Sequence, residues 1–323
     1  MRVVEIAGGG GSAETLVLSE RPDPAAGAGH IRIRVRASGV NRPDILQRLG
    51  RYPAPPGASD IPGLEVAGEV DQVGAGVTRW SVGDRVCALL GGGGYAELAV
   101  VDARHALPVP AGMDFVQGAA LPETVCTVFA NVFESGALKG GETLLVHGAT
   151  SGIGVTAIHM ARAAGARVIA TSRSPAKAEA ARLLGADLNL NATADDMETE
   201  IRAFGGADVL LDMVGADYAA LNQSVLNPFG RWVIIATQSG AVAQVDLAKV
   251  MMKRIVLTGS TLRARSADEK ARLIAAVEAR AWPWVASGAV RPPVEATFPL
   301  EQASAAHLRL EAGGHVGKIV LTV

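Results

Sequence analysis

The stretch VHGATSGIG, residues 146–154, limits what this chain can fold into more than any other segment. An apolar run beginning at Thr143 enters it, and IGVTAIHMARAAG, an Ala-rich run with helical periodicity, leaves it. Strand, glycine turn and helix in that order aim backbone N–H groups and the positive end of a helix at a pyrophosphate. The spacing is not G-x-G-x-x-G. In that frame Ala149 and Ser151 replace the first two glycines, and only Gly154 keeps its place. As G-x-x-x-G-x-G it supplies Gly148, Gly152 and Gly154, which let backbone approach phosphate and the helix pack on its strand. Ser151 offers a hydroxyl to a phosphate, to the helix N-cap, or to both.

The motif sits almost halfway along 323 residues, a length that suits two domains. Residues 1–124 are rich in Gly, Pro and β-branched runs, and the alternation of Ile31, Ile33 and Val35 predicts antiparallel strands. Residues 125–262 alternate strand and helix: TLLVHG, RVIATS, DVLLDMVG, RWVIIAT and IVLTGST, with Ala-rich helical stretches between the first of them. That alternation predicts a doubly wound parallel sheet of Rossmann type. Gly165 and Gly185 stand where helix C-terminal glycines belong. After residue 263 come one long helix, SADEKARLIAAVEARAWPWVASG, and a final pair of strand-like runs. That zone is too small to stand alone and is assigned to the first domain. The expected fold is therefore α/β, with residues 1–124 and 263–323 in one domain and 125–262 in the other.

Composition removes several function classes. The net charge is −2 with Lys and Arg scattered, which argues against nucleic acid or an anionic membrane surface as partner. The N-terminus MRVVEIAGGGG has no apolar signal region, and a cytoplasmic location is expected. The uncharged run Thr143–Ala161 is long enough to span a bilayer, but its glycines, hydroxyls and two histidines predict a buried strand, turn and helix instead. Two cysteines, Cys87 and Cys126, cannot build a disulfide framework or a cysteine-rich zinc lobe.

At the end of the second strand of such a sheet, about twenty residues past the motif, NAD-selective proteins carry an acid for the ribose 2′-OH. Here the strand ends in Thr171, Ser172 and Arg173, with Lys177 one turn into the next helix. A hydroxyl and two cations suit a 2′-phosphate, so NADPH is the expected cofactor. The ends of the fourth and fifth strands, Asp212–Gly215 and Ala236–Gln238, are expected to border the same crevice.

Short-chain dehydrogenases carry the same glycine spacing near their N-terminus and a Tyr-x-x-x-Lys downstream. Here the only downstream tyrosine is Tyr218, followed four residues on by Asn222, so that family is excluded. A central motif behind a β-rich segment resembles the medium-chain dehydrogenase/reductases. ASGVNRPDILQRLGRYP, PGLEVAGEV, VGDRVCAL, GGYAELAVV, HGATSGIG and GKIVL each resemble the quinone oxidoreductase (zeta-crystallin-like) branch. YPAPPGASDIPGLE and LPETVCTVF are most similar to the tumour-suppressor-inducible quinone oxidoreductase subgroup.

The resemblance implies a GroES-like catalytic domain beside the Rossmann domain, and a homodimer, with a tetramer as the alternative, formed through the edge of the nucleotide sheet near residues 231–262. It implies nucleotide contacts from Asn41, Thr127, Gly148, Ser151, Gly152, Ile153 and Gly154. Further contacts are implied at Val214, Gly215, Ala236, Thr237, Leu262, Arg263 and Lys318. Thr127 is expected to begin the helix that approaches the nicotinamide, and Leu262 with Arg263 to lie near the domain junction. Zinc-dependent relatives carry Cys and His where this chain has Asn41 and Leu64, and the third-ligand region reads LPETVC, with Glu123 its nearest candidate. One carboxylate cannot hold zinc, so no metal is expected.

At the reacting end, Asn41 is placed to hydrogen-bond a nicotinamide ribose or an acceptor carbonyl. Asp44 takes either a direct role or an ion pair with Arg42 or Arg48. Tyr52, before a Pro-rich loop, suits stacking on a flat acceptor or donation to a developing oxyanion. The expected activity is NADPH-dependent reduction of quinones. The alternatives are reduction of enoyl or other α,β-unsaturated carbonyls, and an NADPH-binding redox sensor with little turnover.

Overall fold

The strand Thr143–His147 is buried along its whole length, as a central strand covered on both faces must be. It lies inside a six-stranded parallel sheet in a computed structural model that describes residues 1–193 and 195–323. The spatial order is Leu188–Asn191, Arg167–Ser172, Thr143–His147, Ala207–Asp212, Leu226–Ile234 and Val256–Gly259. In chain order that is 3-2-1-4-5-6, so the order reverses between Thr143–His147 and Ala207–Asp212, and ligand crevices form at such reversals. This sheet belongs to a unit made of Val125–Thr261 and Ser287–Arg291. The uncharged run from Thr143 resolves into the strand, the turn and the helix Gly152–Ala163. No described helix is long and apolar enough to cross a membrane.

Capping sets the helix limits in this unit. The Ser151 side chain accepts from Gly154 N–H at 3.0 Å. Ser174 caps Pro175–Leu183 in the same way, with proline at the first turn. Gly165 and Gly185, with φ of +76° and +101°, follow the two helices.

The other unit comprises Met1–Thr124, Leu262–Ala286 and Pro292–Val323. Its seven-stranded sheet is mixed rather than purely antiparallel. Val294–Pro299 pairs in parallel with Lys318–Thr322, which pairs antiparallel with His30–Val40. The path continues antiparallel through Glu65–Val73, Arg85–Leu89 and Ala106–Pro108, and Leu98–Asp102 also pairs with His30–Val40. Ile31, Ile33 and Val35 point into a core with Val66, Val70, Val86 and Trp80, as their alternation predicts.

Three further expectations are corrected by the structure. The long helix after residue 263 is two helices, Ala267–Arg280 and Trp282–Ala286. Pro283, at the second position of the latter, has no N–H to continue the first. A helix, Ala303–Ala312, lies between the last two strands. It buries mainly Ala303, Ala306 and His307, too little bulk to print a clear apolar stripe. Thr127 does not begin its helix, which starts at Pro122 and runs to Val128 before widening into π-type turns over Phe129–Ser135.

Candidate active site

In the nucleotide-type unit, the turn after Thr143–His147 is closed by glycine. Gly148 has φ +68°, and a Cβ on Gly154 would stand 2.4 Å from Gly148 O and 2.6 Å from Ala149 O. Only glycine at 154 lets the helix meet the turn so closely. Besides capping, the Ser151 hydroxyl donates to Gly148 O at 2.8 Å. Gly152 and Ile153 form the first turn of the helix.

Beneath the turn lies a polar network that sequence reasoning missed. His147 Nδ1 is 2.9 Å from Thr171 Oγ1 and its Nε2 is 2.8 Å from Asn222 Oδ1. Burial lowers the His147 pKa and so favours the neutral ring, against the pull of the Asp212 charge and the Asn222 hydrogen bond. Asn222 Nδ2 and Trp232 Nε1 donate to Asp212 at 3.0 and 2.9 Å. The backbone N–H groups of Val214 and Gly215 donate to the other Asp212 oxygen at 2.7 and 3.0 Å. One buried carboxylate thus fixes the turn after the fourth strand. Ser239 ties that turn to the Ala236–Thr237 segment through its backbone N–H and hydroxyl, both donating to Val214 O. The available signal was a polar residue at the carboxyl end of each of three apolar strands: His147, Thr171 and Asp212.

At the end of Arg167–Ser172, Ser172 is buried, Arg173 is exposed and Lys177 is half-buried. The Ser172 hydroxyl donates to Ser174 O at 3.4 Å, and Arg173 acts electrostatically on Tyr218.

In the β-rich unit, a long strand delivers Asn41, and a capping box turns the chain into the helix Arg42–Arg48. Asp44 completes that box. It accepts from Asn41 N–H at 2.7 Å, Gly63 N–H at 3.1 Å and Tyr95 OH at 3.3 Å. The ion pair with Arg42 or Arg48 does not form among the described residues. Arg48 instead pairs with Glu311 at 2.8 Å and lies 3.5 Å from His307. Burial pushes Asp44 up to about 6, against the pull of the two backbone donors. His307, 3.0 Å from the Tyr95 hydroxyl, is held down to about 3 by burial and by Arg48.

The Asn41 amide is engaged at both ends. Its Nδ2 donates to Glu65 Oε1 at 2.9 Å, and its Oδ1 accepts from Lys318 Nζ at 2.6 Å. Lys318 also donates to Glu65 Oε1 at 2.6 Å, and both charged side chains are almost fully buried, at 3% and 0% exposure. Gly39 makes room, since a Cβ there would stand 2.1 Å from Glu65 Oε1. Asn41 and Lys318, expected at the cofactor, therefore have partners inside the unit. Glu65 Oε2 accepts from Glu123 N–H at 2.9 Å. The Glu123 carboxyl itself has no hydrogen bond or ion pair among the described residues, and burial with the nearby Glu65 charge pushes it up to about 8. In the sequence Glu123 reads only as a metal-ligand candidate, and nothing local to it signals this state.

Tyr52 is half-buried. Its carbonyl accepts from Arg263 Nη1 at 3.0 Å, and that guanidinium lies 5.5 Å from its ring centroid. Arg263 also donates to Gly91 O at 2.8 Å and Gln47 Oε1 at 2.7 Å, so it braces the Tyr52 loop. Leu262, beside it in sequence, is buried and opens the segment Leu262–Ala286 of the same unit.

The family model described as alcohol dehydrogenase GroES-like domain matches residues 27–111, and that described as zinc-binding dehydrogenase matches residues 152–279. A quinone oxidoreductase of Pseudomonas aeruginosa is 32% identical over 96% of this chain and 96% of its own length. The chain also matches the spectinabilin polyketide synthase system protein NorB of Streptomyces orinoci at 35% identity, over 98% of this chain but 14% of that protein. Among solved structures, Escherichia coli quinone oxidoreductase complexed with NADPH is 28% identical with a TM-score of 0.86, covering 100% of this chain and 99% of the other. A solved NAD-dependent alcohol dehydrogenase is 31% identical with a TM-score of 0.88, covering both chains completely. Fold and relatives together define a medium-chain dehydrogenase/reductase. The chain belongs to the quinone oxidoreductase-like branch of that superfamily.

Proposed function

We propose that this protein is an NADPH-dependent reductase of quinones and similar conjugated carbonyls that works without a metal. The observation that carries the reading is the Lys318 ammonium, clamped between Asn41 and Glu65 with the apolar Leu64 alongside in sequence. A fixed cation there opposes a divalent ion, and the described residues hold no group of three or more His, Cys, Asp or Glu suited to one. Carbonyls that need Lewis-acid activation are then poor acceptors, whereas conjugated ones delocalise the incoming charge.

A nicotinamide cofactor, when bound, supplies the hydride. Gly148, Ser151, Gly152, Ile153 and Gly154 would hold its pyrophosphate, and Ser172, Arg173 and Lys177 its 2′-phosphate. Val214, Gly215, Ala236 and Thr237, on strand-end turns tied through Ser239, would border the nicotinamide side together with Thr127. Both NADPH-bound and NAD-dependent proteins share this fold, so cofactor choice rests on residues 172–177. Charge-assisted phosphate contacts contribute about 1.5–3 kcal/mol each, so NADPH is expected to bind at least about tenfold tighter than NADH. Fluorescence titration at moderate salt checks this, and Arg173→Ala should narrow the ratio. Equal dissociation constants in the wild type would contradict it.

Tyr52 is proposed to stack on the acceptor. Tyr52→Ala is then expected to lose about 1–3 kcal/mol of transition-state stabilisation in kcat/KM with a quinone, while Tyr52→Phe keeps most activity. A Phe variant as impaired as Ala would assign the role to the hydroxyl instead. Reduction of enoyl or other α,β-unsaturated carbonyls is the second reading, favoured by the match to a segment of a polyketide synthase system protein. A homodimer through the edge strand Val256–Gly259 belongs to the same proposal. Met251, Met252, Val256 and Leu257 are exposed there, which suits a covered apolar face.

A further inference from the structure

We propose that Glu123 is the proton donor to the reduced acceptor, a role that presupposes the reductase activity proposed above. Three carboxyls gather in this part of the β-rich unit, and two are committed. Asp44 is spent on its capping box, Gly63 and Tyr95. Glu65 is spent on Lys318, Asn41 and the Glu123 backbone. Of the three, Glu123 is the one whose carboxyl has no hydrogen-bond partner among the described residues, and its N–H bond to Glu65 fixes the start of its side chain.

The charged groups acting on Glu123 are Glu65 and Asp44, which favour its protonated form, and Lys318 and Lys270, which oppose it. Glu123 in turn acts on Tyr52 and on Arg263, so it belongs to the same patch as the proposed stacking residue. Burial and Glu65 outweigh the two lysines, and the group is pushed up to about 8. A carboxylic acid that keeps its proton at neutral pH is what general-acid catalysis needs. In the step proposed, the acceptor gains a hydride with its two electrons from the reduced nicotinamide. The Glu123 O–H bond breaks and an O–H bond forms at the acceptor carbonyl oxygen, giving a hydroquinone or an enol. The carboxylate left behind regains its proton from water.

The test compares wild type, Glu123→Gln and Glu123→Asp. With NADPH and a conjugated enone or para-quinone, wild-type kcat is expected to fall above about pH 8. Glu123→Gln should be about tenfold or more slower at pH 7 and flat with pH, and Glu123→Asp should restore part of the rate and its pH dependence. The second readout needs no cofactor. A carboxyl raised in the folded state favours folding while protonated, so its contribution is present below its unfolded value and lost as pH rises through the folded one. The Tm of Glu123→Gln minus that of wild type should therefore grow from pH 5 to pH 8; Asp44 is present in both proteins, so most of its own titration cancels in the difference. Wild-type rate and pH profile in Glu123→Gln would overturn the proposal, as would a Tm difference constant over that range. Should wild type reduce no acceptor although the Tm difference grows, the reductase reading fails, and the donor role with it, while Glu123 is still shown to hold its proton.

Discussion

Replacing Lys318 by Met is expected to destabilise the protein by about 3–5 kcal/mol, because it strands the Glu65 carboxylate in the interior without its counter-charge. Both side chains are nearly inaccessible, and the 2.6 Å contact is supported by Asn41 on one side and the Glu123 N–H on the other. The pair joins three distant parts of the chain: the end of His30–Val40, the start of Glu65–Val73 and the start of Lys318–Thr322. Glu65→Gln should also be costly, since it leaves the ammonium unpaired. The double variant Lys318→Met, Glu65→Gln is expected to recover much of the loss, as paired neutral replacements of buried ion pairs often do. Urea denaturation of the four proteins, followed by circular dichroism, measures the coupling. Single variants within about 1 kcal/mol of wild type would show that the pair is not the charge-balanced anchor described here.

Much of the architecture was legible because its signals are local. Thr143–Val146 followed by glycines at 148, 152 and 154 marks a strand, turn and helix with no tertiary information. The inward alternation of Ile31, Ile33 and Val35 is equally explicit. Ala303–Ala312 was missed because its buried face is mainly alanine and one histidine, and those residues carry little hydrophobic contrast. The site was legible at the level of residue type and not at the level of partners. Asn41 and Lys318 stand 277 positions apart, and only the folded sheet reveals that one holds the other. The same holds for Asp44: of its two candidate arginine partners, Arg48 is drawn away to Glu311. Glu123 reads in sequence as a poor ligand. Its chemistry depends on which neighbouring carboxyls are already satisfied, and that is a property of the packing.

The second large effect concerns acceptor choice. On the metal-free reading proposed above, with Lys318 bound to Asn41 and Glu65, a saturated ketone or aldehyde has no Lewis acid for its developing alkoxide and depends on proton donation alone, whereas a quinone also delocalises the charge over its ring. The difference is expected to reach at least about a hundredfold in kcat/KM, equivalent to about 2.7 kcal/mol of barrier. The most direct test is NADPH oxidation by chelator-treated protein across ortho- and para-quinones, conjugated enones, saturated ketones and aldehydes. The expected result is rapid turnover of the flat conjugated acceptors, unchanged by EDTA, with the saturated carbonyls at least about a hundredfold slower. Comparable turnover of saturated ketones, or activity abolished by EDTA and restored by zinc, would contradict the account.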